Sequence, residues 1–272
     1  MEFPDLRTRP PRFLAAARKS RELGGMTRPE SKPAPAYIGC AGWSLPRADQ
    51  PRFPAEGTHL ERYAARFSAV EINSSFYHPH RPSTYVRWAE SVPADFLFSV
   101  KIPRAITHTA RLVDADEPLD RFLGETAALG PKLGCLLVQL PPSLRFDDAV
   151  AGAFFEGLRA RHAGPVACEP RHATWFGAPA DALLAEWRIS RVAADPARVA
   201  AAGEPGGWPG VVYHRLHGSP RMYYSEYSPA YLDDLAASIT AARREAVVWC
   251  IFDNTASGAA TPNALGLLER CG

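Results

Sequence analysis

The sequence predicts an α/β protein, a single TIM-type (β/α)8 barrel over residues 37–272 with a poorly formed helix after the sixth strand. Three observations predict it. Short apolar runs recur near 37–43, 69–76, 96–102, 134–140, 165–171, 188–194, 211–217 and 247–253. Helical patterns fill most of the intervals between them. The span, about 235 residues, is close to what one such barrel needs.

The elements follow in order. The first run, IGCAGWS, leads to Thr58 and Glu61, a capping-box pair ahead of Leu60, Tyr63, Ala64 and Phe67. The next five runs alternate with helical stretches until AADPARVAAAGEPGGWPG, where Pro and Gly break the pattern. Ser228-Pro229 starts a helix with Tyr231, Leu235 and Ile239 on one stripe, and Thr261-Pro262 starts the last. A doubly wound open sheet is the competing architecture. No GxGxxG follows the first run, so a dinucleotide fold has little support.

Residues 1–36 are rich in Pro, Arg and Ser and are expected to be a disordered basic extension, with Met26 an alternative start. They hold 8 basic and 4 acidic residues, which leaves 23 basic (31 less 8) and 25 acidic (29 less 4) for the rest. The basic excess lies in the tail, which weighs against a broad nucleic-acid-binding face. No apolar run is long enough to span a membrane, and no signal-peptide pattern is seen. A cytoplasmic protein is expected. Cys40, Cys135, Cys168 and Cys250 sit in apolar runs without CxxC spacing and read as free buried thiols.

Strand parity locates the chemistry. Successive side chains of a strand alternate faces. In VEINSSFY, Val70 and Ile72 face the helices, so Glu71 and Asn73 face inward. The same parity turns inward Lys101, Gln139, the pair Glu169 and Arg171, the pair Arg215 and His217, and Asp253. All lie toward the C-terminal ends of their runs, where barrel enzymes keep their active sites. The bland alternative is a set of interior ion pairs, Glu71 with Lys101 and Glu169 with Arg215. The direct Glu71–Lys101 contact is expected in either case.

Seven segments, in order, carry a resemblance: IGCAGWS, VEINSSFYHPHRPSTYVRWAESVP, FLFSVKIPRAITH, LGCLLVQLPPSLRF, CEPRHATWF, YHRLHGS and IFDNTASGAATPNAL. Together they resemble the YecE-like family, a domain of unknown function, from about Tyr37 onward. The resemblance implies a TIM-barrel fold and no particular reaction. Cys40, Ala41 and Pro170 depart from the family's usual residues, and none is a charged position.

The expected chemistry is catalysis on a small anionic ligand, phosphorylated or carboxylated. Lys101, Arg104, His108, Arg171, Arg215 and His217 are read as cations around the mouth. Lysine is rare here, 4 against 27 arginines, so Lys101 is read as wanted for its ammonium. Glu71, Glu169 and Asp253 supply carboxylates, two of which could divide general acid and base duties. Catalysis is assigned to Glu71, Lys101, Glu169, Asp253 and His217. Substrate binding is assigned to Asn73, Arg104, His108, Gln139, Arg171, Trp175, Arg215, Tyr227 and Asn254. SPRMYYSEYSP is read as a lid, and NTASGAATPN as a phosphate-binding turn with a helix N-terminus. A retaining glycosidase would want acids ending strands four and seven, where Gln139 and His217 stand. No cofactor is expected; the alternative is a divalent metal on Glu71, Glu169, His217 and Asp253. His78, His80 and His172 read as loop histidines. The other functional class is nucleic-acid binding through Arg104, Arg111, Arg171 and Arg221 with stacking tyrosines.

Overall fold

The computed structural model describes residues 33–272. Most of the expected extension, residues 1–32, lies outside them. Its end does not. The Ala34 N–H donates to the Arg243 carbonyl at 2.8 Å, and Arg243 Nε donates to the Ala34 carbonyl at 2.8 Å. The folded unit therefore starts before residue 37.

The chain runs β1 (Ala36–Cys40), α1 (His59–Ala64), β2 (Ala69–Ile72), α2 (Pro82–Glu90), β3 (Leu97–Lys101), α3 (Asp116–Thr126), β4 (Leu133–Gln139), α4 (Asp148–Arg161) and β5 (Val166–Glu169). It continues with α5 (Ala178–Glu186), β6 (Ser190–Arg191), β7 (Ala193–Asp195), β8 (Gly206–Gly207), β9 (Val211–Leu216), α6 (Pro229–Ala242), β10 (Val247–Phe252) and α7 (Ala260–Cys271). All eight apolar runs hold strands, though often shorter ones. The second stops at Ile72 because Asn73 turns helical and Ser74–Phe76 winds into a 3-10 turn. Where Pro and Gly break the pattern after the sixth run, no α-helix forms, only a 3-10 turn, Ala200–Gly203, and the two-residue β8.

The strands make two sheets, β1-β10-β9-β7 and β2-β3-β4-β5-β6-β8, parallel throughout except for β6 with β8. The single closed ladder expected of the barrel is not formed. On one side the sixth run divides at Val192, so that β6 stays on β5 while β7 joins β9. On the other, an isolated bridge between Ala41 and Glu71 connects the sheets. The Tyr63 hydroxyl serves loose backbone groups there. It accepts from the Cys40 N–H at 2.8 Å and donates to the Ala69 carbonyl at 3.0 Å. Gly39 is required at this approach, since a Cβ would stand 2.0 Å from the Ala69 carbonyl oxygen.

Two apolar clusters hold the molecule together. The larger lies between strands and helices and takes Val70, Ile72, Phe96, Phe98, Val100 and Ile102, the outward parity set. The smaller lies on the inward face, with Ala69, Cys135, Leu137, Ala167, Tyr213, Trp249 and Ile251. Each fully buried large side chain contributes roughly 1.5–3 kcal/mol. The inward set is the floor on which the polar residues stand.

Local signals also place the helices. The Glu61 N–H donates to Thr58 Oγ1 at 3.3 Å and the Thr58 N–H to Glu61 Oε2 at 2.6 Å, completing the capping box of α1. Ser228 caps α6, accepting from the Tyr231 N–H at 3.2 Å. The last helix starts a residue earlier than Thr261-Pro262 suggests, and Thr261 Oγ1 reaches the Ser44 carbonyl at 3.4 Å instead of capping. Cys40, Cys135, Cys168 and Cys250 are buried and unpaired, as expected.

Candidate active site at the strand ends

Glu71 ends the inward face of β2, Glu169 closes β5, Arg215 sits near the end of β9, and His217 and Asp253 follow β9 and β10. Parity brings all five together. Arg215 is the hub. Its Nε and Nη2 donate to Glu71 Oε2 and Oε1 at 3.0 and 2.8 Å, and its Nη1 donates to Glu169 Oε2 at 3.1 Å. Nη2 also lies 3.0 Å from Asp253 Oδ2. The Tyr213 hydroxyl stands below, 3.1 Å from Glu71 Oε2 and 2.9 Å from Ser99 Oγ. Neither Tyr213 nor Ser99 is among the residues read from the sequence, yet parity already puts them on the faces of Arg215 and Lys101.

His217 is held at both ring nitrogens. Nδ1 lies 3.0 Å from Asp253 Oδ2, and Nε2 lies 2.9 Å from Glu169 Oε1 and 3.0 Å from Arg171 Nη2. Nε2 thus faces an acceptor and a donor, so it has a partner with or without its proton. Arg171 Nη2 also pairs with Glu169 Oε1 at 2.6 Å.

The electrostatics sort the acids. Burial pushes Glu169 up, but Arg171, His217 and Arg215 hold it well below the usual carboxylate range. Burial likewise opposes the Asp253 charge, and Arg215 and His217 hold it low. Neither is an acid at neutral pH, so these two do not divide acid and base duties between them. For Arg215, burial disfavours the charge, and Asp253, Glu71 and Glu169 more than restore it.

Lys101 is the exception in this set. It does not meet Glu71. The register aligns Glu71 with Ser99, two residues short of Lys101. Its Nζ instead lies 4.0 Å from the Phe76 ring centroid, and no carboxylate among the described residues is within ion-pair distance. It is 5% exposed. Burial, then Arg215, lowers it to about 8, against the pull of Glu71, Glu169 and Asp253. Lys132 spends its ammonium differently, on the Ala89 and Val92 carbonyls at 2.7 and 2.6 Å.

Around this group stand Gln139, Asn73, Arg104 and His108. Burial and the neighbouring Lys101, Arg104 and Arg171 push His108 down to about 4, so it is neutral at pH 7 and not the expected cation. Arg104 is exposed. Of the six buried side-chain polar atoms that lack partners among the described residues, three follow strand ends here: Arg171 Nε, Asn73 Oδ1 and Asn254 Oδ1. Buried polar groups are nearly always paired, so orphans at a strand end point to a ligand or to water.

Other assignments are corrected. Trp175 is a packing residue, buried with Nε1 donating to the Leu144 carbonyl at 3.0 Å. Tyr227 is buried too. It accepts from the Gly218 N–H at 2.8 Å and donates to Asp195 Oδ1 at 2.9 Å. Asn254 is enclosed, its Nδ2 donating to the Ser225 carbonyl and Asn263 Oδ1, both at 2.9 Å. The expected phosphate turn is filled from within, since the Ala260 N–H already donates to the Asn254 carbonyl at 3.1 Å. The expected lid is pinned to that turn, with the Ala256 N–H on the Tyr223 carbonyl at 3.0 Å and Ser257 Oγ on the Tyr224 carbonyl at 2.6 Å. Tyr223 does reach the site, its ring 5.8 Å from that of His217.

Arg215 occupies the position between carboxylates that a divalent ion would take. No group of three or more His, Cys, Asp or Glu among the described residues is arranged to hold a metal. Of the arginines offered for nucleic acid, Arg171 is tied to Glu169 at 2.6 Å, Arg111 to the Ser143 carbonyl at 2.9 Å, and Arg221 lies 3.9 Å from the Tyr224 ring centroid. His80 Nε2 bonds Ser74 Oγ at 2.8 Å, and His172 Nδ1 accepts from the Thr174 N–H at 3.2 Å, so both serve their loops. No helix among the described residues is long and apolar enough to cross a membrane.

Fold and site together define a mixed α/β protein whose parallel strands end in a buried carboxylate–guanidinium cluster. The chain belongs to the family described as "Protein of unknown function DUF72", whose model matches residues 37–272. This agrees with the resemblance in its seven segments. It is 35% identical over 136 residues to the UPF0759 protein YecE of Escherichia coli strain K12, an alignment covering 46% of this chain and 48% of the relative. With the UPF0759 protein YunF of Bacillus subtilis it shares 28% identity over 151 residues, 53% of each. The chain thus spans about half the length of the curated relatives it matches. Among solved structures it is similar to a DUF72 family protein of Thermotoga maritima, with TM-score 0.71, 25% identity, and 86% and 98% of the two chains covered. A DUF72 family protein of Enterococcus faecalis gives TM-score 0.72 at 21% identity, covering 87% and 95%, and speaks for the fold alone.

Proposed function

We propose that the strand-end cluster is the active site of an enzyme acting on a small anionic substrate, phosphorylated or carboxylated, by acid–base or hydrolytic chemistry. In this reading the two sheets work as one (β/α)8-type wall, and the cluster is its C-terminal mouth. One observation carries the proposal. Lys101 is a buried ammonium with no carboxylate partner among the described residues, and it shares the neighbour His108 with Arg171, whose Nε is unpartnered. A buried charge left in that state is costly, and an anion bound there offsets the cost.

The roles follow. Lys101, Arg171 and the exposed Arg104 hold the anion, with Gln139 and Asn73 beside it. Lys101, at about 8, is poised for proton transfer near neutrality. His217 Nε2, held by Asp253 through Nδ1 at 3.0 Å, is the second group that can pass a proton. Glu169 and Asp253 act as fixed charges, and Arg215 is a positioning residue that keeps them and Glu71 in place.

The test is a thermal melt with a panel of inorganic phosphate, sugar phosphates and small carboxylates. A ligand that binds the native state raises the midpoint. At least one anion should raise that of the natural protein and not that of Lys101→Met. Equal shifts in both proteins overturn the reading.

A further inference from the structure

Beside the mouth lies a recess of about 690 Å3, with Phe76, Tyr77, Pro103, Arg104, Ile106 and Phe122 among its walls. That is a ligand-sized volume, within the roughly 300–1,000 Å3 common for small-molecule sites. It contains none of the strand-end carboxylates, yet it adjoins the site through Phe76. Lys101 Nζ lies 4.0 Å from the Phe76 ring centroid, and the rings of Tyr77 and His108 meet the same ring edge-on, each at 4.9 Å. Ser75, the residue before it, is bonded to the Lys101 carbonyl at 2.7 Å, which clips the wall of the recess onto the end of β3.

The recess has a direction. Arg104 lines it and, with Lys101, acts on His108, so its near end is cationic. Its other wall, from α3, carries Glu117 and Glu125 with Arg121 between them, paired to Glu125 Oε1 at 3.1 Å, so that wall has no cationic excess to hold an anion. Between them the walls are largely apolar and aromatic, and Tyr77 is 63% exposed. The opposite wall is a π-helical turn at Ala105–Thr109, and the chain just beyond it, outside the recess, holds Arg111, Leu112 and Asp114 at φ 55°, 72° and 49°. π-turns and left-handed residues without a glycine are costly and gather at functional sites.

We infer that the substrate is bipartite: an anionic head at Lys101 and Arg104, joined to a flat apolar or aromatic body that lies in the recess against Phe76 and Tyr77. An aryl phosphate or aryl carboxylate has this shape and polarity; a bare sugar phosphate does not. The inference rests on the proposed anion site and adds the body of the substrate to it.

Calorimetric titration of the full chain with naphthyl phosphate, with inorganic phosphate and with naphthoate tests it. Naphthyl phosphate is expected to bind at least about tenfold more tightly, the worth of one partly buried ring. That ratio should fall toward one in Tyr77→Ala, which removes an exposed stacking face, and in Ala105→Trp, which fills the recess from an exposed position. Circular dichroism checks that both variants fold. If both phosphates bind equally and Lys101→Met abolishes both, the bipartite substrate is overturned and the anion site stands. If the tenfold advantage survives Ala105→Trp, the recess is not where the body lies. If naphthyl phosphate binds Lys101→Met as well as the natural protein, or if neither phosphate nor naphthoate binds, the anion site and the inference built on it fall together.

Discussion

Arg215 grips Glu71 with two hydrogen bonds, Nε to Oε2 at 3.0 Å and Nη2 to Oε1 at 2.8 Å, reaching from one sheet to the other. The pair is fully buried, and the same guanidinium also contacts Glu169 and Asp253. Arg215→Met would leave three carboxylates facing one another. A loss of roughly 3–5 kcal/mol is expected by denaturant unfolding. Arg215→Lys should recover little, since an ammonium cannot span both oxygens of Glu71. A loss under about 1 kcal/mol would show that the cluster reorganises freely.

Lys101 gives the opposite sign. Its ordinary value of 10.5 falls to about 8 in the fold. Between those limits the unfolded chain holds a proton that the folded chain has released, so stability rises with pH through that window. Below it the cost of the buried ammonium is fully present, up to about 3 kcal/mol. Lys101→Met is therefore expected to be more stable than the natural protein at pH 7 and to lack the alkaline rise. Chemical denaturation at pH 7 and pH 10 separates the two outcomes.

The same titration governs binding. A phosphate anchored on the Lys101 ammonium should lose affinity as pH climbs past 8, approaching about tenfold per pH unit. Phosphate is already a dianion there, so the loss belongs to the protein. Lys101→Arg should keep its charge and flatten the profile. Titration calorimetry from pH 7 to pH 9.5 reads both curves, and a flat natural profile would remove Lys101 from the anion site.

Tyr227→Phe checks a residue whose aromatic ring suggested stacking. Its hydroxyl bridges the Gly218 N–H and Asp195 Oδ1 within the protein. Removing it strands a buried donor and acceptor, at roughly 1–2 kcal/mol. Anion affinity should not change. Weaker binding with unaltered stability would return Tyr227 to the ligand.

What was legible in the sequence was parity. Alternation within VEINSSFY is enough to set Glu71 inward, and the same rule finds Glu169, Arg215, His217 and Asp253. Pairing between strands was not legible, because register depends on how neighbours slide, and no single strand carries that information. Hence parity alone pairs Lys101 with Glu71, where the register puts Ser99. Loop aromatics were the other blind spot. Trp175 and Tyr227 have the composition of a rim, and only the tertiary fold turns them inward. The division of the sixth run at Val192 was hidden as well, since 188–194 reads as one apolar stretch.

The single bridge at Ala41 and Glu71 has a kinetic consequence. Elsewhere paired strands are laced over two to six residues, but here one bridge and the Tyr63 hydroxyl do the stitching. Such a seam can breathe without the molecule unfolding. The Gly42 amide, which donates to the Glu71 carbonyl at 2.9 Å, should exchange with deuterium sooner than the Leu137 amide in the middle of the six-stranded sheet. Tyr63→Phe should hasten it further, and an anion seated at the mouth should slow it. The strip of wall beside Glu71 is thus expected to be the first part of the molecule to open.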